Sequence, residues 1–276
     1  MCRPRGALTV KLASTGGAPP LLQGKAYAEP SVFRPENLLR EARRQKQLSD
    51  RPVPDVCLLD PDGDVVRHLV ETGRGRLEPG WACYHTQMWT TEWDGLRAGV
   101  VGCAVGAPFA VLVAEQLAVS GATLVVSITS AGQLAPLADP PYFVLIDRAL
   151  RDEGTSLHYQ PPSTWSDLSG HLAAALAPLT TPRGTLFSGS SWTTDAPYRE
   201  TEAAIAVAVD AGAICVEMEA AALYAYAAAR DRDVVCIAHV TNSMAVAGDD
   251  FEKGDTNGAG AALTLAAAVA RAVAAR

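Results

Sequence analysis

Short apolar runs alternate with amphipathic or alanine-rich segments along most of the chain. An apolar run of about 4–8 residues is typical of a buried strand, whereas apolar positions recurring every three or four residues are typical of a helix. The runs predict strands at Val56–Leu59, Ala98–Val105, Ala122–Thr129, Tyr142–Asp147, Thr185–Ser188, Ala213–Val216 and Val234–Val240. The predicted helices are Pro35–Gln47, a segment from Gly106 to a stop at Gly121, Pro197–Ala211, Ala220–Arg230 and Gly258–Ala275. Strands that alternate with helices indicate an α/β sandwich around a largely parallel or mixed sheet.

The domain organisation follows from where this pattern begins. Residues 1–33 are rich in Gly, Pro and Ala without any periodicity, which predicts a flexible N-terminal arm. No internal repeat or further linker interrupts the rest of the sequence. We therefore predict one domain over residues 34–276.

Composition and charge exclude several classes of function. The 276 residues are 49% hydrophobic and carry a net charge of −7, which argues against a nucleic-acid-binding surface. The basic run Arg40–Lys46 is interrupted by Glu41 and is typical of a solvated helix face. No uninterrupted apolar stretch is long enough to cross a bilayer, and the start of the chain lacks the apolar core of a signal peptide. We expect a cytoplasmic protein.

Cysteines and cofactor motifs also give negative predictions. The six cysteines form no Cys-x-x-Cys pair, and no histidines stand at zinc-binding spacing. Small core residues in a reducing compartment explain them better than disulfides or a metal. No P-loop or Rossmann fingerprint is present, so we expect neither a metal nor a nucleotide cofactor.

The segment Glu217-Met218-Glu219 is the most informative part of the chain. It follows a predicted strand and precedes an alanine-rich helix, which places it at the carboxyl end of a sheet, where open α/β folds bind ligands. Alternation along a strand would direct Glu217 and Glu219 to the same face. A carboxylate there can accept hydrogen bonds from two neighbouring sugar hydroxyls.

Five segments, in order, resemble the nucleoside phosphorylase and nucleosidase superfamily, which includes uridine phosphorylase, hexameric purine nucleoside phosphorylase and methylthioadenosine nucleosidase. They are Gly106–Pro108, Thr129–Leu134, Arg151–Tyr159, Trp192–Thr201 and Val216–Ala222, the last reading Val-Glu-Met-Glu-Ala-Ala-Ala. The resemblance extends from about Val56 to the C-terminus. It implies a three-layer α/β/α sandwich with a central mixed, mostly parallel sheet of the nucleoside phosphorylase type.

The resemblance also implies roles for individual residues. Glu219 would hold the sugar 2′ and 3′ hydroxyls, Met218 would pack under the ribose, and Trp192 would lie against the base, although core packing is the alternative for Trp192. Asn242 stands where the family has an aspartate that protonates adenine-type leaving groups. An amide cannot act as that acid, but it can hydrogen-bond an oxo-substituted base, which favours a pyrimidine or 6-oxopurine.

Four further residues are candidate substrate contacts. Gly106 belongs to a turn that resembles the family's glycine turn, and Ser130 begins Ser-Ala-Gly, whose small residues let a ligand approach the backbone. Asp195 and Arg199 lie near the base-recognition segment of the uridine enzymes, but at a different spacing. A capping acid and a solvated arginine at a helix N-terminus explain these two equally well.

The arginines that hold phosphate in the phosphorylases of this family are missing. Val65 or Val66 stands at the first position and Ser127 at the second. The third position, in a segment that the family receives from a neighbouring subunit, corresponds to Ala82–Thr86, which contains no arginine. Loss of bidentate guanidinium groups weakens any site for a dianion.

The opening loop instead carries Asp60, Asp62 and Asp64, which should repel phosphate. The nucleosidase branch also lacks the arginines and uses an acid of this loop to activate water. We therefore favour hydrolysis of a nucleoside N-glycosidic bond, with Asp62 or Asp64 as the base and Glu219 and Asn242 as the other catalytic residues. Ordinary turn chemistry is the alternative explanation of the loop.

Two other functions stay open. The first is a uridine- or purine-type phosphorylase with a rebuilt anion site that uses Arg67, His68, His85 or a basic residue of a partner subunit. The second is a non-catalytic nucleoside-binding protein. The resemblance implies a homo-oligomer, either a dimer or a hexamer, that takes a small-molecule nucleoside with water or phosphate as co-substrate and binds no nucleic acid or membrane.

Overall fold

A computed structural model describes residues 19–93, 95–179, 186–243 and 251–276. The strands are β1 Val56–Asp60, β2 Arg76–Leu77, β3 Met88–Trp93, β4 Leu96–Gly102, β5 Leu124–Gln133, β6 Tyr142–Asp152, β7 Trp165–Asp167, β8 Leu186–Thr194, β9 Ala213–Glu217 and β10 Asp233–Ser243. The helices are α1 Pro35–Lys46, α2 Asp64–Glu71, α3 Ala107–Val119, α4 Ser156–Tyr159, α5 Gly170–Leu176, α6 Glu202–Asp210, α7 Ala220–Arg230 and α8 Ala259–Ala274. Short 3₁₀ turns cover Pro20–Leu22, Pro197–Arg199 and Asp255–Gly258.

The strands form one mixed ten-stranded sheet with the order β10-β6-β8-β9-β5-β1-β4-β3-β2, and β7 pairs with β6. Strand β10 also pairs with β5, so the strands from β10 to β5 close into a ring. The pairs β1–β4, β1–β5, β10–β5, β6–β8 and β8–β9 are parallel, and the other pairs are antiparallel. The predicted α/β fold with a central mixed sheet is confirmed.

The central strands and helix α7 make the core. All five residues of β1 are buried, as expected for a parallel strand covered on both faces. The first eight residues of α7 are buried, and the alanines among them let the helix lie close to the sheet. Tyr224 of α7 also donates a hydrogen bond of 2.6 Å from its hydroxyl to the carbonyl oxygen of Ile146. Small side chains and satisfied hydroxyls therefore fix α7 against the sheet.

Some predicted boundaries differ from the structure for local reasons. The predicted helix at 197–211 is a 3₁₀ turn followed by α6, because the Thr201 hydroxyl caps α6 by accepting from the Ala204 N–H at 3.2 Å. Strand β8 continues to Thr194, so Trp192 lies inside a strand. The strands β2, β3 and β7 were not predicted, because short strands with mixed polar residues lack a clear apolar run.

The structure describes only part of the predicted N-terminal arm. Residues 1–18 of the predicted arm lie outside the described residues, and residues 19–33 contain a 3₁₀ turn in mostly exposed chain.

The expectation that no segment could span a bilayer was wrong by length and composition, since the helical stretch Asp255–Ala274 meets both criteria. Half of its apolar window is buried, and α8 packs on α2, α5 and β5, which is the arrangement of a core helix.

Candidate active site

Several chain segments that carry the candidate residues meet at one edge of the sheet. In the parallel register Asp60 lies beside Gly102, and Ser130 lies beside His239. Strand β10 then places Asn242 beside Gly132, whose other neighbour across β5–β9 is Val216. The ends of β1, β4, β5, β9 and β10 therefore converge, as expected for a ligand site in an open α/β sheet.

Glu219 is the candidate with an unfilled hydrogen-bonding atom in the interior. Its residue is 1% exposed, and its Oε1 accepts a 2.6 Å hydrogen bond from the backbone N–H of Gly106. Its Oε2 is buried and has no hydrogen-bond partner by distance and angle among the described residues. Burial, reinforced by the negative charge of Glu217, raises the pKa of Glu219 to about 8. The nearby Thr129 hydroxyl acts to lower the pKa of Glu219. A buried acceptor without a donor costs free energy, and a ligand hydroxyl would remove that cost.

Gly106 is suited to its part in this contact. Its φ is +86°, a conformation that residues with a side chain rarely adopt, and the residue precedes the first turn of α3. The resulting turn directs its N–H at the Glu219 carboxylate. The structure thus brings together Glu219 and Gly106, which are far apart in the sequence.

Glu217 makes a different set of contacts from Glu219. Strand β9 ends at Glu217, and Glu219 is the N-cap residue of α7, so the two do not alternate along one strand. The Glu217 carboxylate accepts from the hydroxyls of Ser191 and Thr193 and from the N–H groups of Glu219 and Ala220, the last two at 2.7 Å. Burial raises the pKa of Glu217, while these hydrogen bonds act in the opposite direction.

These contacts make Glu217 an anchor for the first turn of α7. A carboxylate at a helix N-terminus satisfies N–H groups that have no partner within the helix. All its described contacts are within the protein, and its predicted role in binding substrate stays a prediction.

The acidic turn, by which we mean Asp60, Asp62 and Asp64, connects β1 with α2. Asp60 is buried, and its Oδ2 accepts from the N–H of Val66 at 2.9 Å. Burial raises the pKa of Asp60 to about 7. The Asp62 side chain is 30% exposed, and its Oδ2 accepts from the backbone N–H of Ser130 at 3.1 Å and also from the Ser130 hydroxyl. Candidates from β1 and β5 are therefore in direct contact.

Two cations offset the acidic turn, contrary to the expectation of an uncompensated negative loop. The Lys253 Nζ lies 2.6 Å from Asp64 Oδ2 and 3.3 Å from Asp62 Oδ2, and Arg67 binds Asp64 Oδ1. Burial works to raise the pKa of Asp64, but its hydrogen bonds to Lys253 and Arg67 outweigh this and hold the pKa below its usual value. Burial likewise works to lower the pKa of Lys253, and the two carboxylates more than reverse that effect.

Sequence reasoning missed Lys253, because Lys253 and Asp64 are 189 positions apart and no motif marks the lysine. Arg67 was considered as a possible substitute for the missing phosphate arginines. Instead, it contacts the acidic turn, donating to the carbonyl oxygen of Asp62 at 3.1 Å and to Asp64.

Trp192 lies in a small apolar cluster rather than on the surface. The indole is buried among Leu134, Val216 and neighbouring alanines, and its Nε1–H donates to Asp152 Oδ2 at 3.0 Å. Its neighbour in the sheet is Val216, directly before Glu217. The side chain is therefore oriented from both ends, by packing and by one hydrogen bond.

The other residues predicted to contact the base or the ribose differ in their exposure to solvent. Met218 and Asn242 are half-buried, and the Asn242 Oδ1 accepts from the Thr241 hydroxyl at 3.3 Å. Asp195 and Arg199 are exposed, and no described hydrogen bond joins either to Glu219 or to the acidic turn. Asp195 accepts from the Gly154 N–H at 2.9 Å and lines a cavity of about 560 Å³ together with Pro108 of α3.

His239 is buried and neutral, and the described residues contain no group that could hold a metal ion. His239 stacks on Phe143 with ring centroids 4.5 Å apart, and burial lowers the pKa of His239 to about 4, so the imidazole is neutral near pH 7. Within residues 19–93, 95–179, 186–243 and 251–276, no group of three His, Cys, Asp or Glu side chains could hold a metal ion.

Comparison with known proteins agrees with the fold. Residues 55–275 match the sequence model of the phosphorylase superfamily, whereas the comparison with curated proteins gave no match. A uridine phosphorylase from Vibrio fischeri ES114, complexed with 6-hydroxy-1-naphthoic acid, is similar at 20% identity and a TM-score of 0.64, over 84% of this chain and 93% of that one. A purine nucleoside phosphorylase from Toxoplasma gondii, in complex with immucillin-H, is similar at 16% identity and a TM-score of 0.67, over 83% and 94%.

At these identities the two structures establish a shared fold, and the family follows from the sequence match over most of the chain. The resemblance inferred from the five sequence segments is confirmed. The chain belongs to the phosphorylase superfamily and is a nucleoside-cleaving enzyme, either a nucleosidase or a phosphorylase.

Proposed function

We propose that this enzyme hydrolyses the N-glycosidic bond of a nucleoside. One observation carries the proposal: the N–H and hydroxyl of Ser130 both donate to Asp62 Oδ2. These donors are of the kind that would otherwise hold an inorganic anion at the end of β5. Because a carboxylate of the chain already occupies them, water is the nucleophile that the site favours.

The sugar is held at Glu219. Its buried Oε2 has no hydrogen-bond partner in the part of the chain that the structure describes, and a ribose hydroxyl is a neutral donor that would fill this position. When the glycosidic bond breaks, positive charge develops on the ribosyl ring. An ionised Glu219 would stabilise that charge in a site from which water is largely excluded.

Asp62 is better suited than Asp64 to activate water. Asp64 is 8% exposed and binds Arg67, Lys253 and Asn257, so both its oxygens are engaged. Asp62 is 30% exposed, and its Oδ1 accepts no hydrogen bond from the described residues. That oxygen can take a proton from water, a contribution that is typically worth about 10²–10⁴ in rate.

The leaving base is proposed to be a pyrimidine or a 6-oxopurine. The Asn242 amide can donate to an oxo group and accept from a ring N–H, but it cannot protonate an adenine-type base. Trp192 and Met218 would contribute the apolar wall near the base and ribose. The two similar structures are named for uridine and for purine nucleosides, which agrees with either choice.

Lys253 gives one reason to keep phosphorolysis as a second candidate. Its ammonium lies 3.3 Å from Asp62 Oδ2, the oxygen that Ser130 also contacts, and a phosphate there would need a cation. For phosphate to use these donors, the Asp62 carboxylate would first have to leave Ser130. Hydrolysis needs no such displacement and is therefore favoured.

A single-turnover assay tests the proposal. Enzyme in excess is mixed with a panel of pyrimidine and purine nucleosides, with and without inorganic phosphate, and the sugar product is identified. We expect free ribose at a rate independent of phosphate. Asp62→Asn should lower the rate by about 10²–10⁴, whereas Asp210→Asn, the same change on the exposed end of α6, should leave it unchanged.

Strict phosphate dependence with ribose 1-phosphate as the product would select the second candidate. Nucleoside binding by calorimetry without turnover of any nucleoside would reject both and point to a binding protein. Light scattering and fractionation of cells test the associated proposals of a cytoplasmic homo-oligomer, which are drawn from the family.

A further inference from the structure

Three hydrogen-bond donors converge on one carboxylate oxygen at the end of β5. Asp62 Oδ2 receives the Ser130 N–H at 3.1 Å and the Ser130 hydroxyl, and the Lys253 ammonium lies 3.3 Å away. A backbone N–H, a hydroxyl and an ammonium aimed at a single point form a binding site for an oxyanion. The chain fills that site with its own side chain.

We propose that Asp62 acts as a resident anion that selects water over phosphate as the nucleophile. The inference rests on the proposed hydrolysis and adds a specificity determinant to it. With Asp62 in place, an incoming phosphate meets occupied donors and the negative charge of the Asp62 carboxylate. Without it, Ser130 and Lys253 become free to bind an oxyanion.

The surroundings of Asp62 allow this exchange. The side chain is 30% exposed, so the space that it vacates opens to solvent rather than into the packed core. Lys253 stays fixed by its 2.6 Å contact with Asp64, and the Ser130 N–H is fixed by β5. Loss of one carboxylate also makes the local charge more positive by one unit, which favours an anion.

The alternative reactions differ only in the nucleophile. In the native enzyme a water oxygen bonds to C1′ as the C1′–N bond breaks, its proton passes to Asp62, and the electron pair leaves with the base. In the variant a phosphate oxygen bonds to C1′ in the same displacement. The products are then a sugar 1-phosphate and the base, which takes its proton from solvent.

The test measures binding of inorganic phosphate and sulfate by calorimetry, without nucleoside, to the full chain and to Asp62→Ala. We expect the variant to bind at least about tenfold more tightly than the native enzyme. The double variants D62A/S130A and D62A/K253M should lose that gain. Asp210→Ala, which removes an exposed carboxylate of α6, should bind like the native enzyme.

Circular dichroism establishes that each variant is folded, and Asp62→Ser, which keeps a small polar side chain, serves as a second variant. If folded D62A and D62S bind phosphate no more tightly than the native chain, the inference is overturned. Tighter phosphate binding by D62A supports the inference even if the native enzyme shows no hydrolysis. Hydrolysis by the native enzyme without tighter phosphate binding by D62A supports the proposed function but not the inference. Tight binding of phosphate by the native chain overturns both.

Discussion

The burial of the Asp60 carboxyl group gives a quantitative test of the electrostatics of the acidic turn. Asp60 is 3% exposed at the end of β1, and its Oδ2 accepts from the Val66 N–H near the start of α2. Asp60→Asn keeps an acceptor for that N–H and removes the ionisable proton. The amide therefore resembles the protonated acid, which is the form that burial favours.

The magnitude follows from the shifted pKa. Burial, with help from the charges of Asp62 and Asp64, raises the pKa of Asp60 from 3.8 to about 7. Between these values the folded protein keeps a proton that the unfolded chain has lost, so stability falls as pH rises. In the titration from pH 5 to pH 8, the two states differ in protonation between pH 5 and the folded pKa of about 7, an interval of about two pH units. At about 1.4 kcal/mol per unit, this lowers the unfolding free energy by about 3 kcal/mol. Above about pH 8 the carboxyl is ionised in both states, and the cost is nearly constant.

Urea unfolding of both proteins at pH 5, 6, 7 and 8 measures the effect. The unfolding free energy of D60N minus that of the native chain should increase by about 3 kcal/mol from pH 5 to pH 8. Asp55→Asn, which makes the same change at the exposed beginning of β1, should show a constant difference. A flat or decreasing difference for D60N would refute the claim that Asp60 is held neutral by burial.

Two further predictions concern the paired glutamates. Because burial raises the pKa of Glu219 to about 8, calorimetric affinity for a nucleoside should increase as pH rises from about 7 to about 9 and level off above that, since a sugar hydroxyl prefers the ionised acceptor. Glu219→Gln should abolish that pH dependence and weaken binding about 10–100-fold, from a loss of about 1.5–3 kcal/mol; an unchanged pH profile in the variant would contradict this. Glu217→Gln should lower the unfolding free energy by about 2–4 kcal/mol in urea titrations, because an amide whose oxygen still accepts from the N–H groups of Glu219 and Ala220 must turn its N–H₂ toward the hydroxyls of Ser191 and Thr193, which donate to the native carboxylate. A loss below about 1 kcal/mol would show that Glu217 does not anchor α7.

The predicted strands and helices came from features that are local in the sequence. The apolar runs around Val56–Leu59 and Val234–Val240 predict buried parallel strands, because such strands are covered on both faces and need no polar alternation. The strands β2, β3 and β7 could not be read in this way. Their half-exposed residues gain stability from neighbours that are not adjacent along the chain.

The candidate site also contains residues that local sequence patterns predict and others whose roles depend on distant contacts. Glu219, Met218 and the acidic turn were visible because charged residues directly after apolar runs mark the ends of strands. The different tasks of Glu217 and Glu219 were not visible, because they depend on where β9 ends and on hydroxyls supplied by β8. Likewise, the burial of Trp192 in an apolar cluster became clear only once β8 was seen to extend through it.

Most strands and helices, the family and the carboxylates at the sheet edge could be predicted from the sequence, since each is encoded by neighbouring residues. The electrostatics of the site could not, since Lys253 reaches the acidic turn from the other end of the chain and Ser130 fixes Asp62 from another strand. Charge interactions depend on distance in space and on burial, and a linear sequence specifies neither directly.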